Sequence, residues 1–235
     1  MHIDEHRAPG RWPGAAVATL GLLAAILLWD ASGLDLALAR AAGGAGGFPL
    51  RDHWLVSGLL HEWPRRAVGL IGAWLVLGIW WPTGVLRQLP RGARVQWLAA
   101  VVLAMLLING LKHESLTSCP WDLVEFGGTG SYLSHWHWGL RDGGPGHCFP
   151  AGHASIGFAF IGGYFPLRRV APRHAAACLW LALAGGFLLG AAQQLRGAHF
   201  MSHTLWTAWL CWAGGWAVER VAGLARAPAL AEALP

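Results

Sequence analysis

Residues 95–111 read VQWLAAVVLAMLLINGL, a run in which only Gln96 and Asn109 carry a side-chain amide. With its flanks, a stretch of this kind is long enough to cross the hydrocarbon core of a bilayer as a helix. Similar apolar stretches occur at 14–29, 67–82, 152–167, 175–195 and 204–221. We therefore predict an all-α, polytopic membrane protein with six transmembrane helices in one bundle, formed as a single domain over residues 1–235.

The composition supports a location in the lipid bilayer. Of the 235 residues, 55% are hydrophobic and 12% charged, and 16 are Trp. Soluble domains have about 25% charged residues, so an ordinary water-soluble enzyme is excluded. The formal net charge of +5 would indicate nucleic-acid binding in a soluble protein. In a membrane protein basic residues set the topology, so we expect no nucleic-acid partner.

The distribution of charge predicts the orientation in the membrane. Ten of the 17 Lys and Arg residues flank the spans on one side, whereas eight of the 12 acidic residues lie on the other. By the positive-inside rule both termini are cytoplasmic, and segments 30–66, 112–151 and 196–203 face outward. We expect a bacterial inner (plasma) membrane protein. The first span ends at Trp29-Asp30 without a small-residue cleavage pattern, so we expect it to be retained.

Basic residues and histidines gather at the outward ends of the predicted spans. Lys112 ends the third span, CFPAGH (148–153) begins the fourth, and QQLRGAHFMSH (193–203) joins the fifth to the sixth. Ionisable groups near the membrane are costly and usually functional, so this set indicates an anionic substrate. A further segment, DHWLVSGLLHEWPRR (52–66), has helical apolar spacing and is expected to lie along the membrane surface.

The order of Lys112, Pro150-x-Gly152-His153 and His199 resembles the type 2 phosphatidic acid phosphatase superfamily. That family has the pattern Lys-x6-Arg-Pro, then Pro-Ser-Gly-His, then Ser-Arg-x5-His-x3-Asp. The resemblance implies metal-independent, cofactor-free hydrolysis or transfer of a phosphoryl group through a phosphohistidine. It also implies a lipid phosphate or diphosphate as substrate: a phospholipid, an isoprenoid phosphate or a lipid A phosphate, taken at the outer membrane face.

Three phosphate-binding side chains and the orienting carboxylate of the family pattern are altered, which indicates a divergent branch. Cys119-Pro120 stands where Arg-Pro is expected, and Ala151 replaces the serine of the second motif. In the third motif, Gln193 occupies the arginine position and His203 the aspartate position.

The resemblance and the chemistry of phosphoryl transfer together assign the catalytic roles. His199 is the expected nucleophile, and His153 the group that protonates the leaving oxygen. A nucleophilic imidazole works best when its second nitrogen is held by an acceptor. His203, four residues after His199, is the candidate for this orienting role, and Asp122 is the alternative.

The substrate-binding groups are expected among the cations and dipoles of region 112–203, which carries the motifs. Lys112 and Arg196 can bind the phosphoryl oxygens, and the backbone N–H of Gly152 can donate to them. Arg196 lies three residues before His199, so both can face one ligand on a helical turn.

The four cysteines fall into two pairs with different expected roles. Cys119 and Cys148 lie on the same outward loop system, beside the first and second motifs, in an oxidising compartment. We predict a disulfide between them, which would stabilise the fold by about 3–4 kcal/mol by closing a loop of about 30 residues. Cys178 and Cys211 lie within spans and are expected to be packing residues.

Two other functions stay open on the sequence alone. The i, i+4 pair His199 and His203, with His135 and His137, is also compatible with a His-ligated metal or haem protein. The altered motif positions are also compatible with a catalytically inactive relative that binds an anionic lipid.

Overall fold

A computed structural model describes the backbone of residues 13–231 and the side chains of residues 14–225. The predicted positions of the two termini, and of the basic residues Arg7 and Arg11 before the first span, lie outside the described residues.

The described chain is built from helices. The α-helices are α1 (Pro13–Ala31), α2 (Leu34–Ala42), α3 (Trp63–Leu77), α4 (Arg91–Glu114), α5 (Ser155–Phe158), α6 (Tyr164–Val170), α7 (Pro172–Leu195) and α8 (Met201–Ala231). A π-helical segment, Leu55–Glu62, leads directly into α3, and a 3-10 segment, Ala159–Gly163, joins α5 to α6. Over residues 13–231, β-structure is limited to two isolated bridges. The predicted all-α fold is confirmed.

Three helices are long and apolar enough to cross a membrane: residues Gly14–Ala31 of α1, all of α4 and all of α7. Their apolar side chains are exposed to the surroundings, as at Val17, Leu28 and Leu181, which is expected of a surface that contacts lipid. The other predicted stretches are also helical, as α3, as residues 155–170 and as α8. The long apolar helices and their exposed apolar side chains are those of a membrane protein.

α3 ends earlier than the apolar stretch 67–82 suggests. The Arg94 guanidinium donates to the carbonyl oxygens of Gly78 and Ile79, at 2.9 and 3.0 Å, and to that of Leu89 at 3.0 Å. These bonds satisfy carbonyl groups that a helix leaves unpaired at its C-terminus. Arg94 thus stabilises the turn that follows Leu77, where the chain turns back toward α4.

Small residues let the short helical stretch 155–170 pack tightly among the longer helices. A Cβ atom on Gly157 would collide with the backbone of Gly186 on α7, and one on Gly162 would collide with the Cβ of Ala100 on α4. Such close contacts are typical of helices that pack inside a membrane. The arrangement brings the start of this stretch next to the C-terminal end of α4 and the N-terminal end of α8.

Candidate active site

A cavity of about 510 Å³ lies where these helix ends meet. Lys112, Gly152, His153 and His199 all line it, so the structure brings residues from all three sequence motifs together. The two histidines lie on separate segments of the chain, yet they face the same space.

The turn after α7 explains how His199 reaches this cavity. Gly197 has a φ of +75°, the left-handed conformation that glycine adopts easily. Its N–H donates to the Gln194 carbonyl at 3.0 Å, and the Ala198 N–H donates to the Gln193 carbonyl at 2.9 Å. This is the Schellman motif that ends many helices. It reverses the chain immediately before His199.

The start of α8 is fixed by a carboxylate from α2. Asp35 is buried, and its Oδ1 accepts the Ser202 N–H at 2.9 Å, while its Oδ2 accepts the Ser202 hydroxyl. A carboxylate at a helix N-terminus satisfies free N–H groups and interacts favourably with the helix dipole. Asp35 therefore fixes the helix turn that carries His203.

His199 is held through its Nδ1 atom. That atom lies 3.4 Å from Nδ1 of His203 and 3.6 Å from Sγ of Cys148. A disulfide sulfur carries no hydrogen, so the second contact favours the tautomer in which Nδ1 of His199 bears the proton. Nε2 then carries the lone pair on the side of the ring away from these contacts.

Burial makes His199 a neutral base. Its side chain is almost fully buried, and burial, together with the positive charge of Lys112, lowers its pKa well below the usual 6.5. The imidazole is therefore uncharged at neutral pH, as a nitrogen nucleophile must be.

The second motif is attached to α8. The Ala151 N–H donates to the His203 carbonyl at 3.3 Å, and the Thr207 hydroxyl donates to the Ala151 carbonyl at 3.2 Å. Ala151 is fully buried, which leaves no space for solvent at the position where the family has serine. The backbone N–H groups of Gly152 and His153 are engaged in none of the hydrogen bonds of the described residues.

The second motif is also joined to the segment that follows α4. Cys119 and Cys148 form a disulfide, with a Cα–Cα distance of 5.1 Å. The Cys148 N–H donates to the Thr117 carbonyl at 3.1 Å, and the Phe149 N–H donates to the Ser115 hydroxyl at 3.2 Å. These bonds fix the position of the second motif relative to the end of α4.

Lys112 passes over the glycine of the second motif. A Cβ atom on Gly152 would lie 3.5 Å from Cδ of Lys112 and 4.0 Å from its Cε. The lysine stem thus packs on the Gly152 backbone, and both residues line the cavity.

His153 is fixed by two contacts with the segment that precedes α3. Its Nε2–H donates to the Leu60 carbonyl at 2.8 Å, and its ring stacks on that of His61 with centroids 4.3 Å apart. Burial lowers the pKa of His153 to about 4, although the bond to Leu60 opposes the shift. The neutral ring therefore has its proton on Nε2 and its lone pair on Nδ1.

Gln193 lines the cavity, whereas Arg196 lies behind it. Gln193 is buried, and its Nε2 has no hydrogen-bond partner. Its Oε1 accepts a hydrogen bond of 3.5 Å from the Arg196 guanidinium, which also donates to the Arg51 carbonyl at 2.8 Å. Arg196 is not among the residues that line the described cavity, so its relation to a ligand passes through Gln193.

Asp122 lies in a loop network. Its Oδ2 accepts the indole N–H of Trp121 at 3.0 Å, and its backbone carbonyl accepts from Thr129 and Gly130. Burial raises its pKa above the usual value. Of the two candidates for the residue next to His199, His203 is the one in contact with it.

Two ionisable residues that line the cavity were not predicted as site residues: His61 and Arg65. Both come from the segment 52–66, for which the sequence predicts a surface helix. They are four residues apart, so they share one face of a helix. That spacing is the signal that could have identified them.

One group of potential metal ligands is present among the described residues. The ligand atoms of Cys119, Cys148 and His199 lie within 4.8 Å of one another, but both sulfur atoms are used by the disulfide. His137, proposed as a further ligand, is exposed, and its Nδ1 lies 3.3 Å from the Ser134 carbonyl.

Comparison with known proteins identifies the family. The sequence model of the PAP2 superfamily matches residues 94–226, more than half of the chain, and this range includes all three motifs. No curated protein and no solved structure was found to match. Members of this superfamily are phosphatases. Given the match and the convergence of its three motifs on one cavity, the chain belongs to the PAP2 superfamily, the type 2 phosphatidic acid phosphatases.

Proposed function

We propose that this protein hydrolyses or transfers the phosphoryl group of a lipid phosphate or diphosphate without a metal ion, through a phosphohistidine on His199. The observation that carries the proposal is that His199, His153 and Lys112, from three separate segments, line one cavity.

His199 attacks the phosphorus atom through Nε2. The N–P bond forms as the P–O bond to the leaving group breaks, and the charge that develops on the ring is stabilised through Nδ1–H. His203 accepts that hydrogen bond at its own Nδ1, which requires the tautomer protonated at Nε2. The proposal is supported by the neutral state that burial imposes on His199.

His153 transfers protons through Nδ1, because its Nε2–H is held by the Leu60 carbonyl. A bound phosphate adds negative charge beside the ring and raises the pKa from the value of about 4 in the ligand-free protein. The protonated ring then gives its Nδ1 proton to the leaving oxygen. In the second step it takes a proton from water, or from an acceptor hydroxyl in a transfer reaction, as that oxygen bonds to phosphorus and the N–P bond to His199 breaks.

The phosphoryl oxygens are bound by a set of donors that replaces the arginines of the family. Lys112 and Arg65 supply positive charge, and the free Nε2–H₂ of Gln193 supplies a neutral donor. Gly152 adds its backbone N–H. Arg196 orients the Gln193 amide and contributes positive charge from behind it.

The membrane arrangement that fits this function has six spans, both termini in the cytoplasm and the cavity on the outer side, in one domain. It is supported by helices at all six apolar stretches and by the asymmetry of the basic residues. The cavity lies at the ends of α4 and α8, the level of lipid headgroups. A substrate tail can therefore stay in the bilayer, as in a phospholipid, an isoprenoid phosphate or a lipid A phosphate.

Phosphate release by the purified protein tests this proposal. In detergent with a chelator, the wild type is expected to release phosphate from at least one member of a panel of lipid monophosphates and diphosphates. His199→Ala is expected to abolish release. His137→Ala, which changes an exposed histidine outside the cavity, is the matched control and is expected to keep wild-type activity. Release that persists in His199→Ala, or that stops with chelator alone, would contradict the proposal.

The replaced motif residues favour one other function, the binding of an anionic lipid without turnover. Ala151 and Gln193 remove a hydroxyl and a charge that the family uses around phosphate. Binding of the same lipids without any phosphate release would support this function. Stoichiometric metal or a haem absorption band in the purified protein would instead support a His-ligated metal protein.

A further inference from the structure

A buried carboxylate and histidine lie behind His203, on the side away from His199. Asp30, at the end of α1, accepts the indole N–H groups of Trp136 and Trp206, each at 2.9 Å. Its Oδ2 lies 3.5 Å from Nε2 of His135, and both side chains are more than nine-tenths buried. Asp30 Oδ1 and His135 Nε2 have no well-aligned hydrogen bond. Buried polar atoms without a hydrogen-bond partner are costly, which points to a role for this pair beyond packing.

His135 also contacts His203. Their rings meet edge to face with centroids 5.8 Å apart, almost the same as the 5.7 Å between the rings of His199 and His203. Phe149 stacks flat on His135, at 4.2 Å and an interplanar angle of 3°, and fixes the plane of its ring. Three imidazoles and one carboxylate therefore lie in a row that leads from the cavity to α1.

The tautomers that this row requires agree with one another. With its proton on Nε2, His135 faces the Asp30 carboxylate at 3.5 Å, and its Nδ1 is then the atom available to accept from Nε2–H of His203. Nδ1 of His203 then accepts Nδ1–H of His199, and Nε2 of His199 keeps its lone pair. The tautomer of each ring thus determines the tautomer of the next ring. At His199 the result is the tautomer with a free lone pair on Nε2, which a nucleophile needs.

We propose that Asp30 and His135 are positioning residues that act on the nucleophile His199 through His203. Asp30 supplies the carboxylate that the family places directly beside the nucleophile. In this chain the rings of His135 and His203 lie between that carboxylate and His199. The gap between His135 and His203 is bridged by one water molecule or closes by a small ring rotation. This inference rests on the proposed function, because it assigns roles to groups that serve the phosphohistidine.

A double-mutant cycle with His203→Asp tests the inference, because that change puts a carboxylate directly beside His199. In the wild-type background, Asp30→Asn is expected to lower kcat about 10- to 100-fold, with KM changed less than about 2-fold, the usual cost of losing a partner of an orienting histidine. In the His203→Asp background, the same change is expected to lower kcat less than about 3-fold. His135→Gln is expected to follow the same pattern.

A merely structural role gives a different result. If Asp30 only holds α1 against Trp136 and Trp206, Asp30→Asn lowers kcat equally in both backgrounds, and this outcome overturns the inference. No loss of kcat in the wild-type background overturns it as well. Glu125→Gln, at a surface carboxylate that pairs with Arg40, is the matched control and is expected to leave kcat unchanged.

A second measurement does not depend on turnover or on the folding of His203→Asp. Nitrogen NMR of the ligand-free wild type, with labelled histidine, is expected to find His199 in the Nδ1–H tautomer and Asp30→Asn to show a mixture. An identical His199 tautomer in both proteins overturns the inference. Failure of the proposed function is recognised separately, because the wild type then releases no phosphate from any lipid.

Discussion

The Nδ1 atoms of His199 and His203 face each other at 3.4 Å, and both side chains are buried. Two imidazole nitrogens can form a hydrogen bond only when one carries a proton and the other does not. The contact therefore couples the tautomers of the two rings. Such a contact is what the proposed orienting role of His203, at the aspartate position of the family pattern, requires.

Removal of His203 is expected to slow the reaction without blocking binding. His203→Ala leaves Nδ1 of His199 with the weak sulfur acceptor of Cys148 alone, so we expect kcat to fall about 10- to 100-fold with little change in KM. His203→Asp restores an acceptor and is expected to keep kcat within a few-fold of the wild type. Steady-state kinetics of phosphate release measure both. An equal decrease of kcat in the two variants would show that position 203 does not act through a hydrogen bond to Nδ1 of His199.

Gln193 is expected to act through its amide. Gln193→Leu removes the free Nε2–H₂ from the cavity, so we expect kcat/KM to fall by about 10- to 100-fold, less than the loss of a strong oxyanion donor. The neighbouring Gln194 is also buried but does not line the cavity, so Gln194→Leu is a matched control. The prediction fails if the two leucine variants have the same kcat/KM.

The stability of the protein is expected to fall in mild acid because of His153. Its pKa is about 4 in the folded protein but 6.5 when exposed, so the unfolded chain binds more protons between these values. The stability that neutral His153 contributes is therefore fully present above pH 6.5 and is lost as the pH falls toward 4. Thermal unfolding in detergent at pH 7.0 and 4.5 measures the loss.

In the same experiment, His153→Gln is expected to lose less stability between the two pH values than the wild type does. The exposed His137 provides the control, and His137→Gln is expected to keep the wild-type pH dependence. An unchanged pH dependence in His153→Gln would mean that His153 is not buried in its neutral form.

The disulfide is expected to support both the fold and the nucleophile. Removing it in the double variant Cys119→Ala, Cys148→Ala opens a loop of about 30 residues, with a cost of about 3–4 kcal/mol. The thermal transition is expected to fall by several degrees, and kcat is expected to decrease because His199 loses its sulfur contact. Cys178→Ala changes a free cysteine away from the cavity and serves as the control. A thermal transition equal to that of the wild type would contradict a stabilising cross-link.

The sequence predicts those parts of the molecule that depend on local pattern. Apolar runs give the helices, and motif order gives Lys112, His153 and His199, because helix ends on one side of a bundle meet in one place. It does not predict where α3 ends, since the turn after Leu77 is stabilised by Arg94 from the next helix. Nor does it predict that Asp35 holds the start of α8.

The remaining parts of the site depend on contacts between distant segments. His61 and Arg65 belong to a segment that reads as a surface helix, and only the packing of α3 brings them to the cavity. Asp30 reads as a polar residue at the end of a span. Its proximity to His135, about a hundred positions later, is a property of the folded bundle.

Rapid quenching of the reaction with ³²P-labelled lipid phosphate tests the central claim most directly. We predict a labelled protein that is stable in alkali and labile in acid, with the phosphoryl group mapped by peptide analysis to His199 and absent from His199→Ala. Full turnover with no labelled protein at any time point, or a label on another residue, would contradict the account.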